Sequence, residues 1–252
     1  MNAEQDQTLA RRRLEELCRR CDQLSAPLFT GFLSPPEAEW ALQAGHKSGV
    51  CVALEGGYEE AERKIACFTP FEQPPPAFPI IALELRWPCQ QAPAHRDILG
   101  SVMGLGIERR CLGDIVLEQD KAVLFAQQAM AAHLRDQLLS AGRVRLQTEL
   151  LPHWPSLEPA AGKEIRDTVA SPRLDAVVAA GFDLARAKAA ALVTAGQVKL
   201  RHLPNDHPDA QVAIGDSISV RGLGRLKLNE IGQPTRKGRY PLVLLRYGEK
   251  HA

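Results

Sequence analysis

Apolar and polar positions recur along this chain with two periods, and the changes of period mark out its elements. Between residues 8 and 25, Leu14, Leu17, Cys21 and Leu24 fall at helical spacing among many charges, which predicts an amphipathic helix. Ser34-Pro35-Pro36-Glu37 predicts the start of a second helix, because Ser34 stands at the cap and Glu37 follows at capping-box spacing. Gly45 is expected to end it. Val50 to Leu54 reads as a short strand, and Gly56-Gly57 as a turn into a charged helix from Tyr58 to Ala66. The prolines between Pro70 and Pro79 exclude helix and central strand, so a domain boundary is expected there.

Beyond Phe78 the pattern alternates. Pro79 to Leu85 reads as a strand, Asp97 to Leu105 as a helix, and Asp114 to Glu118 and Ala122 to Phe125 as strands joined by the turn Gln119-Asp120-Lys121. Gln127 to Ser140 reads as a helix stopped by Gly142. Arg143 to Leu150 follows as a strand, with Val144 and Leu146 on one side and Arg143 and Arg145 on the other. The order βαββαβ is that of a ferredoxin-like, RRM-like unit, without the aromatic stacking signature that RNA-recognition domains carry on their central strands.

Leu157 to Val169, with Pro159 and Gly162, reads as a linker or the approach to a strand. Pro172 then introduces a helix with Leu174, Val177 and Val178 on one face, closed by Gly181. Asp183 is the expected N-cap of a further helix, Leu184 to Ala195, which Gly196 ends. In Arg225 to Asn229, alternation turns Leu226 and Leu228 inward and Arg225 and Lys227 outward.

Composition narrows the class. With 45% apolar and 24% charged residues among 252, the chain has the makeup of a globular protein of two or three compact units. Its net charge of +1 is unevenly divided: from Ser171 onward there are 13 Lys/Arg against 7 Asp/Glu, which leaves 18 against 23 before it. Such a split points to an anionic partner for the basic end. Six cysteines, Cys18, Cys21, Cys51, Cys67, Cys89 and Cys111, show no disulfide-framework spacing, as expected of a reduced, cytoplasmic protein. Cys18 and Cys21 form a CxxC with no second pair, inside a helical pattern whose apolar stripe includes Cys21, so Cys21 reads as a buried apolar position. Neither an apolar leader nor a run of about 18 apolar residues is present, so no transmembrane segment is expected.

Several motifs invite catalytic readings that their context does not support. Gly56-Gly57 resembles a phosphate-binding turn, but Glu59, Glu60 and Glu62 would repel the anion. His95-Arg96-Asp97 matches the start of a kinase catalytic loop without any other part of that machinery. Gly104-Leu105-Gly106 ends a helix instead of opening one. His202 and His207 flank one loop without a third ligand. No metal, cofactor or catalytic residue is expected.

The basic positions are more informative. Arg186 and Lys188 fall in the first turn of a helix, where the positive end of the macrodipole disfavours cations unless an anion compensates. Two residues apart, they cannot both face one phosphate, and Asp175 or Asp183 is available to pair with one of them. Arg221 adds a charge beside Gly222-Leu223-Gly224, where the backbone can approach a ligand closely, and Arg236, Lys237 and Arg239 add three more in one loop. With Arg173, Lys199, Arg201, Arg225 and Lys227 they form the expected RNA-contacting set.

Arg173-Leu174-Asp175, Ala185-Arg186-Ala187-Lys188-Ala189, Gly196-Gln197-Val198-Lys199 and Gly215-Asp216-Ser217-Ile218 resemble the alpha-L RNA-binding domain of the ribosomal protein S-four type. RGLGRLK and TRKGR, with GGYEEAERK at Gly56 to Lys64 and HRDILGSVMGLGIERRCLGDI at His95 to Ile115, are similar to the YlmH-like family, which includes a photosystem II S-four-domain branch. The resemblance implies an α+β protein with a helical N-terminal region (1–74), a ferredoxin-like middle domain (75–155), a linker (156–170) and a C-terminal alpha-L domain (171–247). It also implies a non-enzymatic binder of ribosomal or transfer RNA on the large ribosomal subunit, acting in translation quality control. Leu200-Arg201-His202 departs from the Asn-Gly that many alpha-L domains place in a tight turn. The alternatives are an RNA-modifying enzyme, with Asp97 and Asp114 as the carboxylates to test, and a thylakoid-associated factor.

Overall fold

The computed structural model describes residues 3–70, 73–88, 91–157 and 162–247; Cys89, Pro159 and positions 71–72 of the proline-rich stretch lie outside them. The chain forms two compact units, Met1–Leu157 and Glu158–Ala252.

In the first unit, α1 (Ala3–Leu24) buries Leu14 and Cys21 of the expected stripe, together with Cys18, against Trp40, Ala41 and Ala44 of α2 (Pro35–Ser48); Leu17 is half-buried and Leu24, at the end of the helix, is exposed. Burial raises the pKa of both thiols, so neither side chain is a ready thiolate. The backbone N–H of Ser34 donates to Glu37 at 2.7 Å, the reach-back half of the expected capping box. The Ser34 hydroxyl donates to the same carboxylate at 2.5 Å. Helix α2 runs past Gly45, whose Cα lies so close to the next strand that a Cβ would sit 2.3 Å from Val52, and ends at Gly49 in the left-handed region.

Both helices cover one face of a three-stranded antiparallel sheet, ordered β1 (Leu28–Leu33), β3 (Lys64–Thr69) and β2 (Cys51–Glu55). The helix expected from Tyr58 to Ala66 does not form. Two of its backbone donors are taken by a side chain from elsewhere, since Asp114 accepts from Glu62 at 2.7 Å and from Arg63 at 3.3 Å, and just before it Glu55 holds the N–H groups of Gly56 and Gly57. Lys64 onward is drawn into the central strand, where Ile65 to Thr69 are all buried. Tertiary partners override the helix propensity of the Glu- and Ala-rich run.

The second sheet of this unit is built from β4 (Ile80–Arg86), α3 (His95–Gly104), β5 (Leu112–Leu117), β6 (Lys121–Gln127), α4 (Ala131–Gln137), the small hairpin β7 (Ser140–Ala141) and β8 (Val144–Arg145), and β9 (Gln147–Leu150). Its four strands lie in the order β5-β6-β4-β9, every pair antiparallel. The expected final strand is split, because Leu146 turns into the core between β8 and β9. One sheet face packs on α3 and α4 through Leu83, Leu85 and Leu124; the other, through Ile80, Ala82, Val123 and Phe125, closes on Phe32 and Ile65 of the first sheet. Both flanks of the proline-rich stretch therefore belong to one unit. The uninterrupted apolar runs of β4 and β6 are what a sheet covered on both faces requires.

The second unit is a six-stranded antiparallel sheet, ordered β10 (Lys163–Val169), β15 (Tyr240–Tyr247), β14 (Gly224–Ile231), β13 (Ser217–Val220), β11 (Val198–Leu200) and β12 (Leu203–Pro204). Lys163–Val169, within the segment expected as a linker or the approach to a strand, is thus the edge strand β10. Helices α5 (Leu174–Phe182) and α6 (Arg186–Thr194) cover one face, burying Val177, Phe182 and Val193 on Ile218, Leu226, Leu228 and Leu244. Gly181 does not close α5; it lies inside the helix against Leu226, where a Cβ would come within 2.3 Å. Asp183, at φ 54°, ends that helix, and the cap of α6 falls to Ala185 instead of Asp183.

Candidate nucleic-acid interface

Strand alternation builds a basic face on the second unit. Because Leu200, Leu226 and Ile218 point under the helices, their neighbours Lys199, Arg225, Lys227, Ser217 and Ser219 point away. Antiparallel register lines Lys199, Ser219, Arg225 and Tyr247 up across four strands, with Ser217, Lys227 and Leu245 in the next row. The Arg225 guanidinium lies 4.9 Å from the Tyr247 ring centre, a cation–π contact that holds the charge on this face. The arrangement offers the three cations and the Ser219 hydroxyl on a partly exposed surface, with the Ser217 hydroxyl buried beneath it.

The other expected contacts divide by what already engages them. Asp175, whose side chain is 7% exposed, accepts from Arg186 at 3.0 and 3.4 Å and has Arg173 at 3.4 Å. Arg186 is therefore the cation that the buried carboxylate selects, while Lys188 stays exposed on α6. Arg201 is held by Asp216 through two bonds of 2.7 and 2.9 Å, and Asp216 also takes the N–H of Ala213. Arg239 crosses to the edge strand and bonds the hydroxyl and the carbonyl of Thr168. Arg221 sits in the β13–β14 turn, where Gly222 and Gly224 supply the positive φ that the turn demands. Arg236 and Lys237 are exposed in the 232–239 loop.

Between β11 and β12, Arg201 and His202 both adopt positive φ, 51° and 66°, in a two-residue hairpin turn. Asn-Gly takes up such a turn with little strain; Arg-His adopts the same turn at a cost. His202→Gly is expected to stabilise this unit by about 0.5 kcal/mol. An unchanged or lower thermal midpoint would contradict the reading of strain here.

In the first unit the two long motifs, Gly56 to Lys64 and His95 to Ile115, meet around Asp114. Its carboxylate accepts from Tyr58 Oη at 3.0 Å and from the N–H groups of Glu62 and Arg63. Burial raises its pKa, against the opposing pull of Tyr58 and Arg63. Arg63 donates to the carbonyls of Leu112, Phe32 and Arg109, and burial with Arg109 nearby lowers its pKa to about 10. Asp97 accepts from the N–H of Ala94 at 3.0 Å, closing the first turn of α3. Both carboxylates singled out for an enzymatic alternative are thus engaged in holding the backbone. Among the described residues no group of His, Cys, Asp and Glu side chains gathers to hold a metal, and no helix is long and apolar enough to cross a membrane.

Comparison with known proteins locates the chain. It is 34% identical over 222 residues, 86% of each sequence, to the Ribosome-associated protein quality control protein P2 of Bacillus subtilis (strain 168). The chain belongs to the YlmH family. The family profile described as "Putative RNA-binding domain in YlmH" matches residues 76–153. The solved Cell division protein ylmH from Streptococcus pneumoniae shares the fold, with a TM-score of 0.52 and 24% identity over 60% of this chain and 93% of that one. The matched segment lies in the first unit of this YlmH-family chain, where sequence reasoning placed none of its candidate contacts. The signal available there was the alternation Arg143-Val144-Arg145.

Proposed function

We propose that this YlmH-family chain is a cytoplasmic, ribosome-associated RNA-binding protein that holds ribosomal or transfer RNA on the large subunit and catalyses no reaction. The observation that carries this reading is the sheet of the second unit, covered by helices on one face and bearing Lys199, Arg225 and Lys227 on the other. Cations set in rows on one sheet face suit a phosphate backbone, whose affinity is mostly electrostatic. The name of the Bacillus subtilis relative supports the ribosome as partner, and the profile over 76–153 supports RNA as the ligand class. In this reading 171–247 is an alpha-L domain of the S-four type, and the βαββαβ unit with its 2-3-1-4 strand order is ferredoxin-like.

The test is cosedimentation with purified large subunits. K199E/R225E/K227E should bind about tenfold more weakly than the unchanged chain, with a shallower dependence on salt. Equal sedimentation of the two proteins at low salt would remove this face from the interface.

A further inference from the structure

We infer that the first unit carries a second RNA-backbone site, an arginine edge formed by Arg96, Arg143 and Arg145. The inference rests on the RNA-binding reading above and says where within 76–153 the contact lies. RNA-recognition domains use the open face of a four-stranded sheet, on which aromatic side chains stack bases. Here that face is closed by the three-stranded sheet through Phe32 and Ile65, so the contact must lie elsewhere.

Elimination finds the place. Within 76–153, Glu84 takes Arg86 and Lys121, Glu108 takes Arg110, and Asp136 takes Arg135. Arg109 is turned onto the carbonyls of Leu112 and Gly113. Three cations remain among the described residues. Arg143 and Arg145 make no ion pair, and Arg96 makes a single loose one, 3.8 Å from an Asp97 already engaged with Ala94.

The fold places these three on adjoining segments. Val144 is buried in the core under the sheet, which turns Arg145 of β8 outward, while Arg143 stands exposed in the turn that joins β7 to β8. The tip of the β7–β8 hairpin rests on α3: the Gly142 N–H donates to Ser101 at 3.3 Å, and a Cβ on Gly142 would lie 3.6 Å from that of Asp97. Arg143 follows Gly142 and Arg96 precedes Asp97, so the hairpin and the first turn of α3 present their arginines from adjoining segments. All three are arginine, whose planar fork bonds phosphate oxygens in pairs. An RNA backbone crossing this edge would meet three exposed guanidinium groups, two of them without an ion pair among the described residues and the third, Arg96, loosely paired with Asp97.

The experiment uses the full chain and fluorescence anisotropy with a fluorescein-labelled RNA hairpin. R96Q/R143Q/R145Q, which removes charge without adding repulsion, should bind about fivefold more weakly and lose roughly 2 from the slope of log affinity against log salt. R135Q, whose arginine is already paired, serves as the control and should match the unchanged chain. If K199E/R225E/K227E weakens binding while the Gln triple does not, the RNA reading stands and the arginine edge is overturned. No binding by the unchanged chain overturns both. Arginine-dependent binding to phosphatidylglycerol vesicles, with RNA affinity unaltered, overturns the edge as an RNA site.

Discussion

Arg63→Met is expected to destabilise the first unit by about 3 kcal/mol, a larger effect than any single surface cation should have. Arg63 bonds three carbonyl oxygens, on Phe32 at 2.7 Å, Leu112 at 3.0 Å and Arg109 at 3.4 Å, so its removal takes a donor from acceptors in two segments, β1 and the 109–112 turn, and leaves Leu112 its bond from Arg109 at 2.8 Å. Methionine fills much of the space but donates nothing. Although burial lowers its pKa to about 10, the guanidinium stays charged at neutral pH, and the nearby Asp114 loses one of the two cations beside it, keeping Arg109. The measurement is selective, because Trp40, Trp87 and Trp154 all lie in the first unit. Urea unfolding followed by tryptophan fluorescence should show an earlier midpoint, with the β-sheet signal of the second unit persisting beyond it. A midpoint unchanged by Arg63→Met would show that the motif around Gly56 to Lys64 is not a structural clamp.

That clamp also explains which parts of the fold could be read from the sequence. The buried part of the α1 stripe and the outward Arg225 and Lys227 of β14 were legible because a helix repeats every 3.6 residues and a strand every 2, so neighbours along the chain fix the faces. Residues 58–63 were not, since their donors are satisfied by Asp114 some fifty residues on, and Gly57 is pressed against Phe125. The same distinction runs through the candidate site. Lys199, Arg225 and Lys227 owe their placement to local alternation. Whether Arg201 and Arg239 are already engaged depends on Asp216 and Thr168, which only the folded sheet brings within reach. Arg143-Val144-Arg145 had a readable alternation, but its interest came from the covered sheet face and the pairing of the neighbouring cations.

Arg186→Glu and Lys188→Glu, two residues apart on α6, should fail in different ways. Arg186 is the better-aligned of two cations around Asp175, whose side chain is 7% exposed. Reversing its charge sets a second carboxylate against a buried one, and removing a partner from a fully buried pair costs about 3 to 5 kcal/mol. The Arg186 side chain is 54% exposed and Arg173 remains beside Asp175, so a smaller loss of about 2 kcal/mol is expected. It should appear as faster amide exchange in α5, where Asp175 and Leu174 also tie the chain to Pro208 and Ala210. Lys188 has no partner to lose among the described residues, so Lys188→Glu should leave exchange in α5 unchanged and reduce ribosome cosedimentation alone. Reduced sedimentation of Arg186→Glu is therefore evidence about RNA only at a temperature where α5 remains protected. If both variants exchange like the unchanged chain and both lose ribosome binding, Arg186 contacts RNA directly and the Asp175 pair contributes little to the fold. If Arg186→Glu deprotects α5 while Lys188→Glu does not, the first helix turn holds one arginine for structure and leaves the lysine to the partner.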